Sequence, residues 1–165
     1  MAYRVFIHGL ESSGQGAKGM FFRSRYPGML VEDYEGSFAA RMEKLCGLLA
    51  GKEELILVGS SYGGLMAAVY AFDYQERVKK MILLAPALML PEFDPYLGTR
   101  LSLPVELYHG RQDDIVPPAL IKKIAAAAYD NLTYHEVDDD HSLHATFAHM
   151  PWDSLLEVQP DEGLS

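Results

Sequence analysis

The sequence predicts a single α/β domain, a doubly wound, mostly parallel sheet of six strands with helices on both faces. Three observations predict it. Apolar runs rich in Val, Ile and Leu recur along the 165 residues, most of them without polar alternation, as in strands covered on both faces. Helical patterns separate the runs, and strands alternating with helices imply right-handed crossovers. Each candidate functional motif falls at the carboxyl end of a run, which is where such sheets place their ligands.

Taken in order, the predicted strands are Tyr3–Ile7, Met29–Glu32, Leu55–Val58, Met81–Ala85, Val105–Tyr108 and Leu132–Val137. Between the second and third, Phe38, Met42, Leu45 and Leu49 share one helical face, with Gly51 as a C-cap. Leu65–Tyr74 is apolar nearly all round, so this helix is expected to be buried against the sheet. Pro117 and Pro118 open a helix over Ala119–Tyr129, since proline suits a first helical turn. Ser142–Phe147 reads as the start of another helix. The tail Met150–Ser165 is acidic at its end and adds one amphipathic turn around Trp152 and Leu155.

Composition narrows the function classes. A net charge of −9 argues against an electrostatic nucleic-acid binder, which needs a basic stripe. No apolar run approaches the roughly 18 residues of a membrane span. The chain opens directly into a strand with no basic-then-apolar leader, so the cytoplasm is the expected compartment. Cys46 is the one cysteine, which excludes an internal disulfide, and its amphipathic setting suits a small core residue better than a nucleophile.

The third run continues into Gly59-Ser60-Ser61-Tyr62-Gly63-Gly64 and then a helix, matching G-x-S-x-G in its strand–turn–helix setting. A nucleophile at such a sharp turn needs small neighbours two residues away, and Gly59 and Gly63 supply them around Ser61. Ser60 fails, because Val58 would occupy the first glycine position. The fifth run ends H-G-R-Q-D-D-I-V-P-P, which brings Asp113, with Asp114 beside it as the fallback acid. The sixth runs into Asp138-Asp139-Asp140-His141, with His144 the fallback base. The chemistry needs all three members: a serine hydroxyl attacks well only when a base accepts its proton, and a carboxylate orients that base. The order Ser61, Asp113, His141 is that of the α/β-hydrolases.

On these residues the chain resembles a compact, lidless member of the α/β-hydrolase superfamily and is similar to the small bacterial YqiA-type esterases. His8-Gly9-Leu10-Glu11-Ser12 stands for the H-G-x-x-S motif after the first strand, and His109 through Asp113 to Val116 and Pro117 for H-G-x-x-D-x-x-V-P. The resemblance implies an oxyanion hole made by the backbone N–H groups of Leu10 and Tyr62. It also implies that the first two antiparallel strands of the full fold are missing. Only Leu88–Leu103 could serve as a lid, and it is short.

Gly14-x-Gly16-x-x-Gly19, with Glu32 and Asp33 further on, has the spacing of a dinucleotide turn. Six residues separate it from the strand end, however, so the glycines are expected instead to let the loop enter its helix tightly. His8 and His109 are expected to hydrogen-bond loop backbone beneath the site; carboxylate or thiolate companions at metal-ligand spacing do not recur, so no metal or other cofactor is called for. Asp138–Asp140 is read as a solvated acidic loop. Met20, Phe21, Phe22, Met89 and Leu90 are candidates either for an acyl pocket or for plain core. The expected activity is hydrolysis of a small-molecule carboxylic ester or thioester. The alternatives are a non-catalytic binding protein of the same fold and a small amidase or peptidase.

Overall fold

A computed structural model describes residues 2–10 and 12–159. Strands β1 (Tyr3–Ile7), β2 (Leu30–Val31), β3 (Leu55–Ser60), β4 (Val78–Leu84), β5 (Val105–Gly110) and β6 (Leu132–Val137) form one sheet in the order β2-β1-β3-β4-β5-β6. Every pairing is parallel. Helices α1 (Ala17–Arg25), α2 (Phe38–Leu48), α3 (Tyr62–Asp73), α4 (Pro118–Ala128) and α5 (Trp152–Leu155) connect or follow the strands. Among the described residues no helix is long and apolar enough to cross a membrane.

Successive side chains of a strand face opposite ways, and the two faces build two cores. On one, Val5, Ile7, Leu55, Leu57, Met81, Leu83, Val105 and Leu107 meet Leu45 of α2, residues 65–71 of α3, and Ile121 and Ala125 of α4. On the other, Phe6, Ile56, Val58, Ile82 and Leu84 meet Phe22 of α1 and the segment carrying Phe147, Met150, Trp152 and Leu155. The tail is thus more than one added turn: with α1 it covers this second face. Its predicted acidic end lies outside the described residues.

The chain leaves β1 for β2 on one side and returns to β3 on the other, so the direction of winding switches between β1 and β3. In open parallel sheets such a switch point, at the carboxyl ends of the two strands, is where ligand sites form.

One predicted element differs. Ser142–Phe147 is a series of turns ending in a 3-10 turn at Phe147–His149, not the start of an α-helix. Leu143 there has φ 55°, which an α-helix cannot contain. The Leu88–Leu103 stretch folds down as a 3-10 helix at Pro91–Tyr96, with Phe93 fully buried against the first core and ring-packed on Phe72 of α3. It forms no substantial lid.

Candidate active site

The G-x-S-x-G turn forms because β3 must reverse sharply into α3. Ser61 takes up the strain, with φ 55° and ψ −114°. A side chain on Gly63 would overlap the carbonyl oxygens of Ile7 and His8, and one on Gly59 would overlap the carbonyl of Gly63. The spacing therefore has a steric origin: β1, β3 and α3 cross here at backbone contact.

Two other strand ends bring their side chains to Ser61. Asp113 lies just past β5, its side chain fully buried, and His141 lies past β6 with its side chain 16% exposed. His141 Nδ1 is 2.7 Å from Asp113 Oδ2, and His141 Nε2 is 3.0 Å from Ser61 Oγ. An ionised carboxylate can only accept, so Nδ1–H donates to Asp113 and Nε2 is left to accept from the serine hydroxyl.

Asp113 Oδ1 also accepts the amides of Ile115 and Val116, at 2.9 and 2.8 Å. Burial raises its pKa, but the bonds from His141 and these two amides outweigh burial and hold the carboxyl below its ordinary value. It is built to stay ionised.

The fallback residues stand apart. Asp114 is exposed. His144 turns outward, its side chain 77% exposed, and its Nδ1 pairs with Asp140 Oδ2 at 2.6 Å.

The loop after β1 flanks the serine. A Cβ on Gly9 would lie 3.3 Å from Ser61 Cβ. His8 Nε2 accepts the Tyr34 amide at 2.8 Å and its Nδ1–H donates to the Gly9 carbonyl at 2.7 Å, so one imidazole pins two segments of backbone beneath the site. The glycine-rich stretch is a packing device. A Cβ on Gly19 would overlap the Gly14 carbonyl. Asp33 Oδ1 accepts the Gly14 amide at 2.6 Å, and Arg23 donates to the Gly14 and Val31 carbonyls. Asp33 is therefore occupied by the loop itself. Of the acyl-pocket candidates, Phe22 is fully buried core, its ring tilted against Phe6 and edge-on to Trp152. Met20 is 49% exposed, while Phe21, Met89 and Leu90 pack half-buried against the two cores.

One organising residue escaped the sequence. Asp139 is only 8% exposed, not a solvated member of an acidic run. Its Oδ1 accepts the Asp140 amide, and its Oδ2 accepts those of Ala145 and Thr146. It thereby closes the loop that carries His141. Lys18 of α1 donates to the Ser142 carbonyl at 2.6 Å from the other side. The one signal in the sequence was position: an aspartate two residues before the candidate base, inside an irregular stretch, is placed to cap backbone amides. Among the described residues no group of three or more His, Cys, Asp or Glu could hold a metal ion.

The profile of the α/β-hydrolase fold family matches residues 10–101, more than half of the chain. The chain belongs to the α/β-hydrolase fold family. The match ends before Asp113 and His141, so the placing of those two rests on the structure alone. Among solved structures, this α/β-hydrolase fold is similar to α/β-hydrolase domain-containing protein 10 from mouse, with a TM-score of 0.76 and 20% identity over 93% of this chain and 89% of that one. It is similar to Est1E from Butyrivibrio proteoclasticus, TM-score 0.76 and 18% identity over 99% and 89% of the two chains. A monoacylglycerol lipase from Paleococcus ferrophilus gives a TM-score of 0.69 and 16% identity over 94% of each. At these identities the likeness is one of fold. No curated protein matches the sequence significantly.

Proposed function

We propose that the protein is a serine hydrolase that cleaves a small carboxylic ester or thioester through an acyl-enzyme. The observation that carries this is the bridging imidazole of His141, 3.0 Å from Ser61 Oγ on one side and 2.7 Å from Asp113 Oδ2 on the other. Ser61 Oγ attacks the acyl carbon while His141 Nε2 takes the hydroxyl proton. Asp113 stabilises the imidazolium so formed. The backbone N–H groups of Leu10 and of Tyr62, the first residue of α3, hold the oxyanion, an interaction typically worth about 3 kcal/mol per donor. As the tetrahedral intermediate collapses, His141 returns its proton to the departing alcohol or thiol. Water then attacks the acyl-enzyme, losing its proton to the same nitrogen, and the carboxylic acid leaves as Ser61 is restored.

The choice of an acyl substrate draws support from neighbours of the same fold: Est1E has been solved with ferulic acid bound, and another is a monoacylglycerol lipase. A reducing cytoplasm suits a chain whose lone cysteine, Cys46, is unpaired.

A fluorophosphonate probe tests the assignment, since it reacts with a serine only when base and oxyanion donors are in place. Labelling at Ser61 that disappears in Ser61→Ala, together with hydrolysis of short acyl esters or thioesters, is the expected result. Labelling that persists in Ser61→Ala, or a wild-type protein inert to both probe and substrates, would overturn it.

A further inference from the structure

Asp113 has a fourth donor that the hydrolytic scheme does not use. His109, the fifth residue of β5, is fully buried. Its Nε2 lies 3.0 Å from Asp113 Oδ2 and 3.0 Å from the Val116 carbonyl oxygen. A carbonyl oxygen can only accept, so Nε2 carries the proton and donates to both. Nδ1 is buried without a partner among the described residues. A proton there would leave a buried N–H unpaired in an imidazolium, which is costly, so the ring is the neutral Nε2–H tautomer. Burial accordingly lowers the pKa of His109, against the bonds to Val116 and Asp113 that favour the proton.

The oxygen it reaches is the one that His141 uses. Asp113 Oδ2 accepts from His141 and His109, and Oδ1 from Ile115 and Val116. Four donors fill the four lone-pair sites of a carboxylate, so Asp113 cannot turn without breaking a buried bond. His109 also draws part of the negative charge on Oδ2 away from His141. The motif from His109 to Pro117 loops back on itself through this ring: histidine at the strand end, acid four residues on, and the Val116 carbonyl closing the turn.

We propose that His109 is a positioning residue of the hydrolytic site, a neutral hydrogen-bond donor that locks the Asp113 carboxylate and moderates its pull on His141. This rests on the serine-hydrolase reading for the word hydrolytic, while the hydrogen bond and the tautomer stand independently of it. With the donor removed, Asp113 holds the protonated form of His141 more tightly, so the acidic limb of activity moves to higher pH. Among the described residues, Asp139, Asp140 and His144 on the His141 loop and Lys18 from α1 keep hydrogen-bond partners that the change does not touch.

The test compares His109→Leu, which deletes the donor, with His109→Gln, whose amide N–H sits about where Nε2 does. In His109→Leu, kcat falls roughly ten-fold or more with KM little changed, the size of one lost hydrogen bond to a charged group, and the acidic limb of the kcat/KM profile shifts upward. His109→Gln regains most of the rate and the wild-type limb. A rate loss equal in both variants with the limb unmoved would make His109 merely structural and overturn the proposal.

Should the leucine variant not fold, nitrogen-15 NMR of the wild-type imidazoles decides. The expected spectrum keeps His109 with a bare Nδ1 and a protonated Nε2 across the active pH range. A His109 that titrates within that range, or carries its proton on Nδ1, overturns the proposal even if Ser61 labels as expected. An unlabelled Ser61 beside an unchanging Nε2–H tautomer would instead defeat the hydrolase reading and leave the donor in place.

Discussion

Replacing Asp139 by alanine should cost both stability and activity, although the side chain touches neither Ser61 nor His141. Its carboxylate accepts three backbone amides, Asp140 at 2.8 Å, Ala145 at 3.0 Å and Thr146 at 2.8 Å. Hydrogen bonds to a charged group are worth about 1.5–3 kcal/mol each, but these amides lie in a partly exposed loop that water re-solvates, so the expected net loss is about 2–4 kcal/mol. Asp139→Asn should lose roughly half of that, because its oxygen can keep Ala145 and Thr146 while its NH2 group opposes the Asp140 amide. The control is Asp138→Ala. Among the described residues Asp138 accepts from the side chain of Gln112, and a surface change of that kind should stay within about 0.5 kcal/mol. Urea unfolding of the three variants measures the stabilities, and hydrolysis of a small acyl ester measures whether the loosened loop still presents His141, through kcat more than KM. An Asp139→Ala variant within 1 kcal/mol of wild type, or no less stable than Asp138→Ala, would refute the loop-closing role.

Two further outcomes follow from the same geometry. His141→Ala should lower kcat by three or more orders of magnitude, as loss of a triad base does, whereas His144→Ala removes only an exposed pair with Asp140 and should keep most of the rate; steady-state kinetics of both variants checks this, and collapse in His144→Ala alone would mean the base is misassigned. Asp113 has its pKa depressed in the fold, so its ionised form contributes stability that is complete above the unfolded value of about 3.9 and is lost as pH falls through the lower folded value. Asp113→Asn should therefore flatten the loss of stability below about pH 4, as read by urea midpoints at stepped pH, and an unchanged slope would show that Asp113 is not held ionised.

Much of this was legible because it is local. The strands are continuous apolar runs covered on both faces, and the face of α2 follows the helical period, so near neighbours reveal both. The elbow was legible for the same reason: Gly59 and Gly63 are what a sharp strand-to-helix turn at Ser61 demands, wherever the rest of the chain goes. The order of Ser61, Asp113 and His141 follows from the order of strand ends, and the sheet topology brings those ends together. What tertiary structure alone decided involves contacts across long separations. His141 meets Ser61 across 80 residues, and no period in the sequence reports whether His141 or His144 turns inward. That was settled by Asp139, which draws the amides of Ala145 and Thr146 toward itself, leaves Leu143 at φ 55°, and so replaces the expected helix with a loop. The second sheet face was equally hidden, because Trp152 and Leu155 look like the end of a tail until the fold shows them covering Ile56, Val58, Ile82 and Leu84. His109 read as a backbone anchor, and only folding the turn back on itself put its Nε2–H on the carboxylate that holds His141. Sequence pattern records what each segment buries. The partner it buries against is chosen by the whole chain at once.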